Sequence, residues 1–253
     1  MNQKVLVTAG ASGIGLEIVK SFSATDAKVS VCDIDEKGLT ALKKQVPDIV
    51  INVCDISKRS DIEAMVTYCA DTMGGLDVLV NNAGISGPTA PVEEIKPDEW
   101  EKVIQVDING TFNTTRMAIP YLKKSSAGVI INMSSVAGRF GYENRSPYST
   151  AKWGIVGFTK TLSIELGKYG IRANAILPGA VAGARIENVL KGGAEAHHTT
   201  VEAERRNALS IQSIKSFVDP EDIAALAVFL ASNSAKSISG QIIPIDGDTQ
   251  KAS

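Results

Sequence analysis

Seven short runs of apolar and small residues, most of them unbroken, recur along the chain, at Val5–Val7, Val29–Val31, Val50–Val53, Val78–Val80, Val129–Ile131, Ala173–Leu177 and Ile242–Ile245. Longer stretches of helical periodicity lie between them. A strand with one face in water alternates apolar and polar residues, whereas a run without that alternation belongs to a strand buried on both faces. Strand-then-helix order repeated along a chain requires right-handed crossovers and a parallel sheet. The expected fold class is therefore α/β, a doubly wound parallel sheet of seven strands with helices on both faces. Local signals place some helix starts: Ser60 with Glu63 reads as a capping box, and Asp219 precedes Pro220 at a first helical position. Sheets of this kind bind ligands beyond the carboxyl ends of their strands.

The chain has 253 residues, 44% of them hydrophobic, enough for a large core. No proline-, glycine- or serine-rich linker, repeat or low-complexity tract divides it, so residues 1–253 are expected to form one domain. A net charge of −2 leaves no electrostatic footprint for nucleic acid or an anionic membrane. Neither a signal-peptide segment nor a membrane-spanning apolar run is visible, and the expected location is cytoplasmic. Cys32, Cys54 and Cys69 are irregularly spaced within apolar segments, which fits reduced core thiols. His197 and His198 are adjacent, without carboxylate or thiolate at ligand spacing; they read as loop residues, and no metal site is expected.

Two stretches carry chemistry. The first, Thr8-Ala9-Gly10-Ala11-Ser12-Gly13-Ile14-Gly15, follows the first strand and opens a helix. Glycines there let backbone approach a pyrophosphate, whose charge the helix N-terminus favours. Alone, a glycine turn between strand and helix is weak evidence. Asp33, closing the next strand, strengthens it, because an acid at that point accepts hydrogen bonds from ribose hydroxyls and repels a 2′-phosphate. NAD is thus expected over NADP.

The second stretch is Ser146-Pro147-Tyr148-Ser149-Thr150-Ala151-Lys152. Proline and a following apolar run (Trp153, Val156, Phe158, Leu162, Leu166) predict a helix opening at Tyr148, and positions i and i+4 share a face. The Lys152 ammonium can then stand near the Tyr148 phenol and lower a pKa that is ordinarily about 10. For an isolated pair at this spacing, a half-buried tyrosine beside a solvated lysine is the simpler account.

Taken together, these residues resemble the short-chain dehydrogenase/reductase family in its compact single-domain, Rossmann-like form, from about Lys4 to Asp248. Thr8 to Gly15 is similar to the family's glycine turn, with Ala9 where its first glycine usually stands. The resemblance implies cofactor contacts from Gly10, Ser12, Gly13, Ile14 and Gly15, from Asp33, and from Asp55 with Ile56 beside the adenine. It also implies contacts from Asn82, Ala83 and Gly84 of the Asn81-Asn82-Ala83-Gly84 signature, and from Pro178-Gly179, Tyr148 and Lys152. Ser135, thirteen residues before Tyr148, matches the catalytic serine, whereas Ser134 does not. The implied chemistry is hydride transfer between substrate carbon and nicotinamide, with Tyr148 as general acid/base, Lys152 lowering its pKa and Ser135 donating to the substrate oxygen.

The chain departs from the family pattern in three further places. Asp107 stands where an asparagine usually supports the lysine, Gly183 where a threonine usually follows the Pro-Gly segment, and Asp248 where a glycine is usual in the closing strand. Residues from about Ala184 to Phe217 correspond to the variable substrate loop; their mixed charges, Arg185 and Arg205 among them, read as solvated helix. Arg139 and Arg145, between Ser135 and Tyr148, are candidate substrate contacts, with salt bridges or subunit contacts as the simpler account. The expected activity is NAD-dependent interconversion of a secondary alcohol and a ketone on a small sugar, polyol or hydroxy acid. NADP-dependent reduction of 3-oxoacyl thioesters and non-catalytic dinucleotide binding are the alternatives. The resemblance and the apolar faces of the helices at Asp107–Leu122 and Tyr148–Leu166 suggest a homo-oligomer, a tetramer by family habit.

Overall fold

In the computed structural model, which describes residues 3–251, the seven apolar runs are strands. They are β1 (Lys4–Thr8), β2 (Lys28–Asp33), β3 (Val50–Val53), β4 (Val78–Asn81), β5 (Val129–Met133), β6 (Arg172–Pro178) and β7 (Ile242–Ile245). Between them run α1 (Gly13–Ser23), α2 (Glu36–Gln45), α3 (Arg59–Met73), α4 (Pro97–Val103), α5 (Thr111–Leu122), α6 (Ser146–Gly167), α7 (Ala184–Ala196), α8 (Val201–Ser210) and α9 (Pro220–Ala231). The sheet has the order β3-β2-β1-β4-β5-β6-β7, and every pairing is parallel. This is the Rossmann-like architecture expected from the strand pattern.

Alternate residues of each strand supply two cores. Val5, Val7, Val78, Val80, Val129 and Ile131 pack on one side with Ile18 and Phe22 of α1, Leu39 of α2 and Ile223 of α9. Leu6, Leu79 and Ile130 face the other side, against Ile62 and Met65 of α3, Leu122 of α5 and Leu162 of α6. Each side chain of this size contributes about 1.5–3 kcal/mol when fully buried, so both faces of the central strands must stay apolar. Cys32, Cys54 and Cys69 are free, buried thiols within this packing.

The chain builds the sheet outward from β1 to β3, then returns to lay β4 against the other side of β1. The reversal opens a crevice at the carboxyl ends of β1 and β4, the place where such sheets take ligands.

Two local expectations fail. The start of α3 is capped by Lys58 backbone, not by a Ser60–Glu63 box. Ser60 instead bonds Asp61, and Glu63 reaches Arg116 at 2.9 Å, so both side chains are committed elsewhere. The helix expected to run unbroken from Asp107 to Leu122 is also divided: Ile104–Gly110 is wound as a π-helix and joins α4 to α5. Its extra residue per turn sets the position of Asp107, and wide turns of this kind are frequent at functional sites. At α9 the reading holds, with Asp219 as N-cap and Pro220 in the first turn, although the Asp219 side chain itself makes no cap bond.

Candidate active site

The turn after β1 is tied to the turn after β4. The Thr8 hydroxyl accepts from the backbone N–H of Asn82 and of Ala83, each at 3.0 Å, while the Asn82 amide donates to the carbonyls of Thr8 and Ala9 at 3.1 and 2.9 Å. Asp33, at the end of β2, accepts from Ala11 N–H at 2.9 Å through one carboxylate oxygen and from Asp35 N–H at 3.0 Å through the other. The glycine turn and the acid therefore form one rim. Asp55 stands after β3 and accepts from the hydroxyl and the N–H of Ser57. That pair of bonds, the hydroxyl's first, holds its carboxyl below the usual value against the effect of burial. Ile56 presents its carbonyl toward Gly110, where an added Cβ would come within 2.8 Å. Pro178 ends β6, and Gly179 N–H donates to Ile245 at 3.0 Å, which sets that segment beside β7.

This cradle suits a dinucleotide. Ser12 caps α1 in extended conformation without spending its side chain on the helix, and no acidic residue occupies the first turn. Gly13 has φ +54 with nothing within 4 Å of a would-be Cβ, so the chain at the helix start is open on that side to a close approach. Ala9, standing where the family pattern has glycine, takes φ +53 all the same, and Asp248, the other replaced glycine, takes φ +58. The two substitutions leave glycine-like backbone in place and put side chains into a region L-residues rarely adopt.

Across the crevice, α6 carries Tyr148 in its first turn and Lys152 one turn later. The Lys152 ammonium lies 5.5 Å from the Tyr148 ring centroid, donates to the Met133 carbonyl at 3.2 Å and stands 3.5 Å from Oδ2 of Asp107. The other Asp107 oxygen accepts from Ile85 N–H at 2.8 Å. Asp107 is 1% exposed and Lys152 5%, so the charge pair is withdrawn from water. Gly84 allows this: a Cβ there would lie 3.0 Å from the ammonium and 3.2 Å from the carboxylate. Ser135 and Ser134 also separate by role. The Ser134 hydroxyl donates to the Lys152 carbonyl at 2.8 Å and so fixes α6 against the end of β5. The Ser135 hydroxyl accepts from Ala137 N–H at 3.2 Å, and its influence lowers the pKa of the Tyr148 phenol.

The Tyr148 phenol is held below its ordinary value. Burial pushes it up most strongly, but the charges of Lys152 and Arg185 and the Ser135 hydrogen bond together outweigh burial, while Asp107 works in the opposite direction. A phenol lowered in this way, with a hydroxyl donor beside it, can take a proton from an alcohol or return one to a carbonyl.

Three arginines surround this group. Arg145, 5% exposed, donates from Nη2 to the Ser86 carbonyl at 2.8 Å, and its guanidinium lies 5.2 Å from the Tyr148 ring centroid. Arg139 sits farther out, 3.9 Å from Asp246 and over the Phe140 ring. Arg185, read from sequence as part of a solvated helix, comes 5.8 Å from the Tyr148 ring centroid. That reading holds for the rest of the segment, where Arg205 pairs with Glu187 at 2.6 Å and His197 with Glu204 at 3.2 Å, but not for Arg185. One sequence signal pointed to it: a cation in the first turn of α7 opposes the helix dipole, a placement that needs another reason.

A short chain dehydrogenase family model matches residues 3–192. The chain is 38% identical over 247 residues to the D-beta-hydroxybutyrate dehydrogenase of Cupriavidus necator, covering 96% of this chain and 95% of that protein. The crystal structure of levodione reductase superposes with a TM-score of 0.92 at 32% identity, covering 98% of this chain and 97% of the other. An actinorhodin polyketide ketoreductase with NADPH does so with a TM-score of 0.93 at 30% identity, covering 97% and 96%. The family's cofactor is a nicotinamide dinucleotide, which suits the cradle described above. The chain belongs to the short-chain dehydrogenase/reductase family and is an oxidoreductase acting on CH–OH groups.

Proposed function

We propose that the protein interconverts a secondary alcohol and a ketone on a small polar metabolite, a sugar, polyol or hydroxy acid, with NAD as its cofactor. The observation that carries this reading is the convergence of Ser135, Tyr148 and Lys152 beside Gly84, at the mouth of a dinucleotide-shaped crevice. When bound, the nicotinamide supplies or takes up the hydride. Tyr148 removes the alcohol proton in oxidation and returns it in reduction. Ser135 donates to the substrate oxygen where charge develops, and Lys152 holds the phenol acidic. Asp107 positions Lys152 by pairing with its ammonium.

The NAD preference rests on Asp33, whose neighbours Ile34 and Asp35 bring no positive charge to receive a 2′-phosphate. A second reading, NADP-dependent reduction of 3-oxoacyl thioesters, is favoured by the likeness to the ketoreductase with NADPH. Titration with NAD and NADP, followed by a panel of alcohols and ketones monitored by nicotinamide absorbance, separates the two. NAD-linked oxidation of a small polyol or hydroxy acid supports the first; tight NADP binding with thioester reduction replaces it with the second. Binding without turnover on any compound would return the protein to a non-catalytic role.

The working form in this reading is a cytoplasmic homo-oligomer, a tetramer by family habit. Phe112 of α5 and Trp153 of α6 are 47% and 51% exposed, leaving apolar surface for association through those helices. No described helix is long and apolar enough to cross a membrane.

A further inference from the structure

The charges around Tyr148 do not balance. Lys152 has Asp107 at 3.5 Å, and Arg139 has Asp246 at 3.9 Å. Farther along the substrate segment, Arg205 and Arg206 are matched by Glu187 and Glu202. Arg145 and Arg185, the two guanidinium groups against the Tyr148 ring, have no carboxylate within 4 Å among the described residues. Arg145 spends one N–H on the Ser86 carbonyl, and its Nε is buried with no acceptor. Buried donors are rarely left so, and one beside a reacting phenol marks a place where an acceptor arrives with a ligand.

We propose that Arg145 and Arg185 form an anion clamp at Tyr148 that selects substrates carrying a carboxylate close to the reacting carbinol. Among the metabolites compatible with the function above, this singles out hydroxy acids and their oxo acid products; the inference rests on that function. Two guanidinium groups at 5.2 and 5.8 Å from one ring centroid, without counter-ions, make the region around Tyr148 positive, and a carboxylate arriving there accepts charge-assisted hydrogen bonds. The planar fork of a guanidinium also fixes the carboxylate's orientation, and with it the carbinol carbon. Arg185 is the adjustable member, being exposed at the start of α7, whereas Arg145 is held in the wall by Ser86.

The test compares 2-, 3- and 4-hydroxycarboxylates with their methyl esters, using wild type, Arg185→Met and Arg185→Lys. Because Arg185 also acidifies Tyr148, the readout is the ratio of kcat/KM for acid to ester at one pH, which cancels effects on the phenol. Wild type should favour one of the acids, and Arg185→Met should reduce that ratio about 10- to 100-fold, the worth of a charge-assisted contact, with partial recovery in Arg185→Lys. An unchanged ratio overturns the clamp. So does a weakened Kd for NAD in Arg185→Met with the ratio intact, since that assigns the guanidinium to the cofactor's phosphates. Should no compound turn over, the functional reading fails by itself. Calorimetric binding of the same acids and esters to the NAD-saturated protein then decides the clamp: preference for the acid that depends on Arg185 keeps it, and equal binding sinks it.

Discussion

Asp107→Asn separates the two jobs that the carboxylate performs. In the native site one oxygen accepts from Ile85 N–H at 2.8 Å, while the other has no hydrogen-bond donor and faces the Lys152 ammonium at 3.5 Å as its counter-ion. An asparagine keeps the Ile85 bond through its one acceptor oxygen and turns an uncharged NH2 toward the ammonium. Leaving the buried ammonium with the Met133 carbonyl but without its counter-ion costs about 1–3 kcal/mol. At roughly 2–4 °C per kcal/mol for a protein near this size, Tm should fall by roughly 2–12 °C. Asp107→Leu, which also strands Ile85 N–H and removes the counter-ion, should cost more, about 3–5 kcal/mol. The catalytic effect has the opposite sign. Asp107 raises the Tyr148 pKa, so removing its charge lets the phenolate form at lower pH. Alcohol oxidation needs the phenolate, and the acid limb of kcat/KM against pH should therefore move toward acid in Asp107→Asn while activity is retained. Differential scanning calorimetry and a pH–rate profile on the same preparations read both effects. If the asparagine variant melts with wild type, or its acid limb stays put or moves toward alkali, the carboxylate does not act on Lys152 and Tyr148 as described.

Tyr148→Phe should lower turnover by roughly 10²–10⁴-fold, with NAD affinity by fluorescence titration nearly unchanged, because only the proton-transfer hydroxyl is lost; near-normal turnover would remove Tyr148 from the mechanism. Asp33→Asn should narrow the preference for NAD over NADP in paired Kd measurements, since it deletes the charge that repels a 2′-phosphate. Wild type favouring NADP would show that Asp33 does not discriminate. Ala9→Gly should raise Tm by a few degrees, because the left-handed conformation at φ +53 costs an L-residue about 1 kcal/mol or more. No gain in Tm would mean that Ala9 carries no strain.

The sheet was legible because its signal is physical and redundant: Val5, Leu6 and Val7 are all apolar since alternate side chains enter different cores. The Ser135, Tyr148 and Lys152 constellation was legible for a similar reason, as a helix start fixes which residues share a face and β5 delivers the serine to them. Even the choice between Ser134 and Ser135 had a local basis, later visible in the Ser134 bond to the α6 backbone. What could not be read was geometry decided by packing at a distance. The π-helix around Asp107 has the composition of an ordinary helix, and it lies where Gly110 approaches Ile56 and Ile108 approaches Gly154, contacts between residues far apart in sequence. The position of Arg185 likewise depends on how α7 leaves β6, and other charged residues of the segment pair among themselves, as Arg205 does with Glu187. The Ser60–Glu63 pattern misled because α3 starts two residues earlier, with Lys58 as N-cap, so Ser60 already lies inside the helix.

The α7–α8 pair is closed at its base by the Val181–Val218 bridge between its own two ends and is tied to the segment after β7 by the Gln212–Thr249 bridge. Internally it is braced by its own ion pairs, such as Arg205 with Glu187. It is in effect a cassette, which can be recut without disturbing the Thr8–Asn82 latch or the Lys152–Asp107 pair on which proton transfer depends. Position 185 is where the cassette meets the phenol. Exchanging the segment between related chains should therefore carry substrate preference with it, and the charge felt by Tyr148 should travel in the same exchange, linking the choice of substrate to the pH at which the chemistry runs.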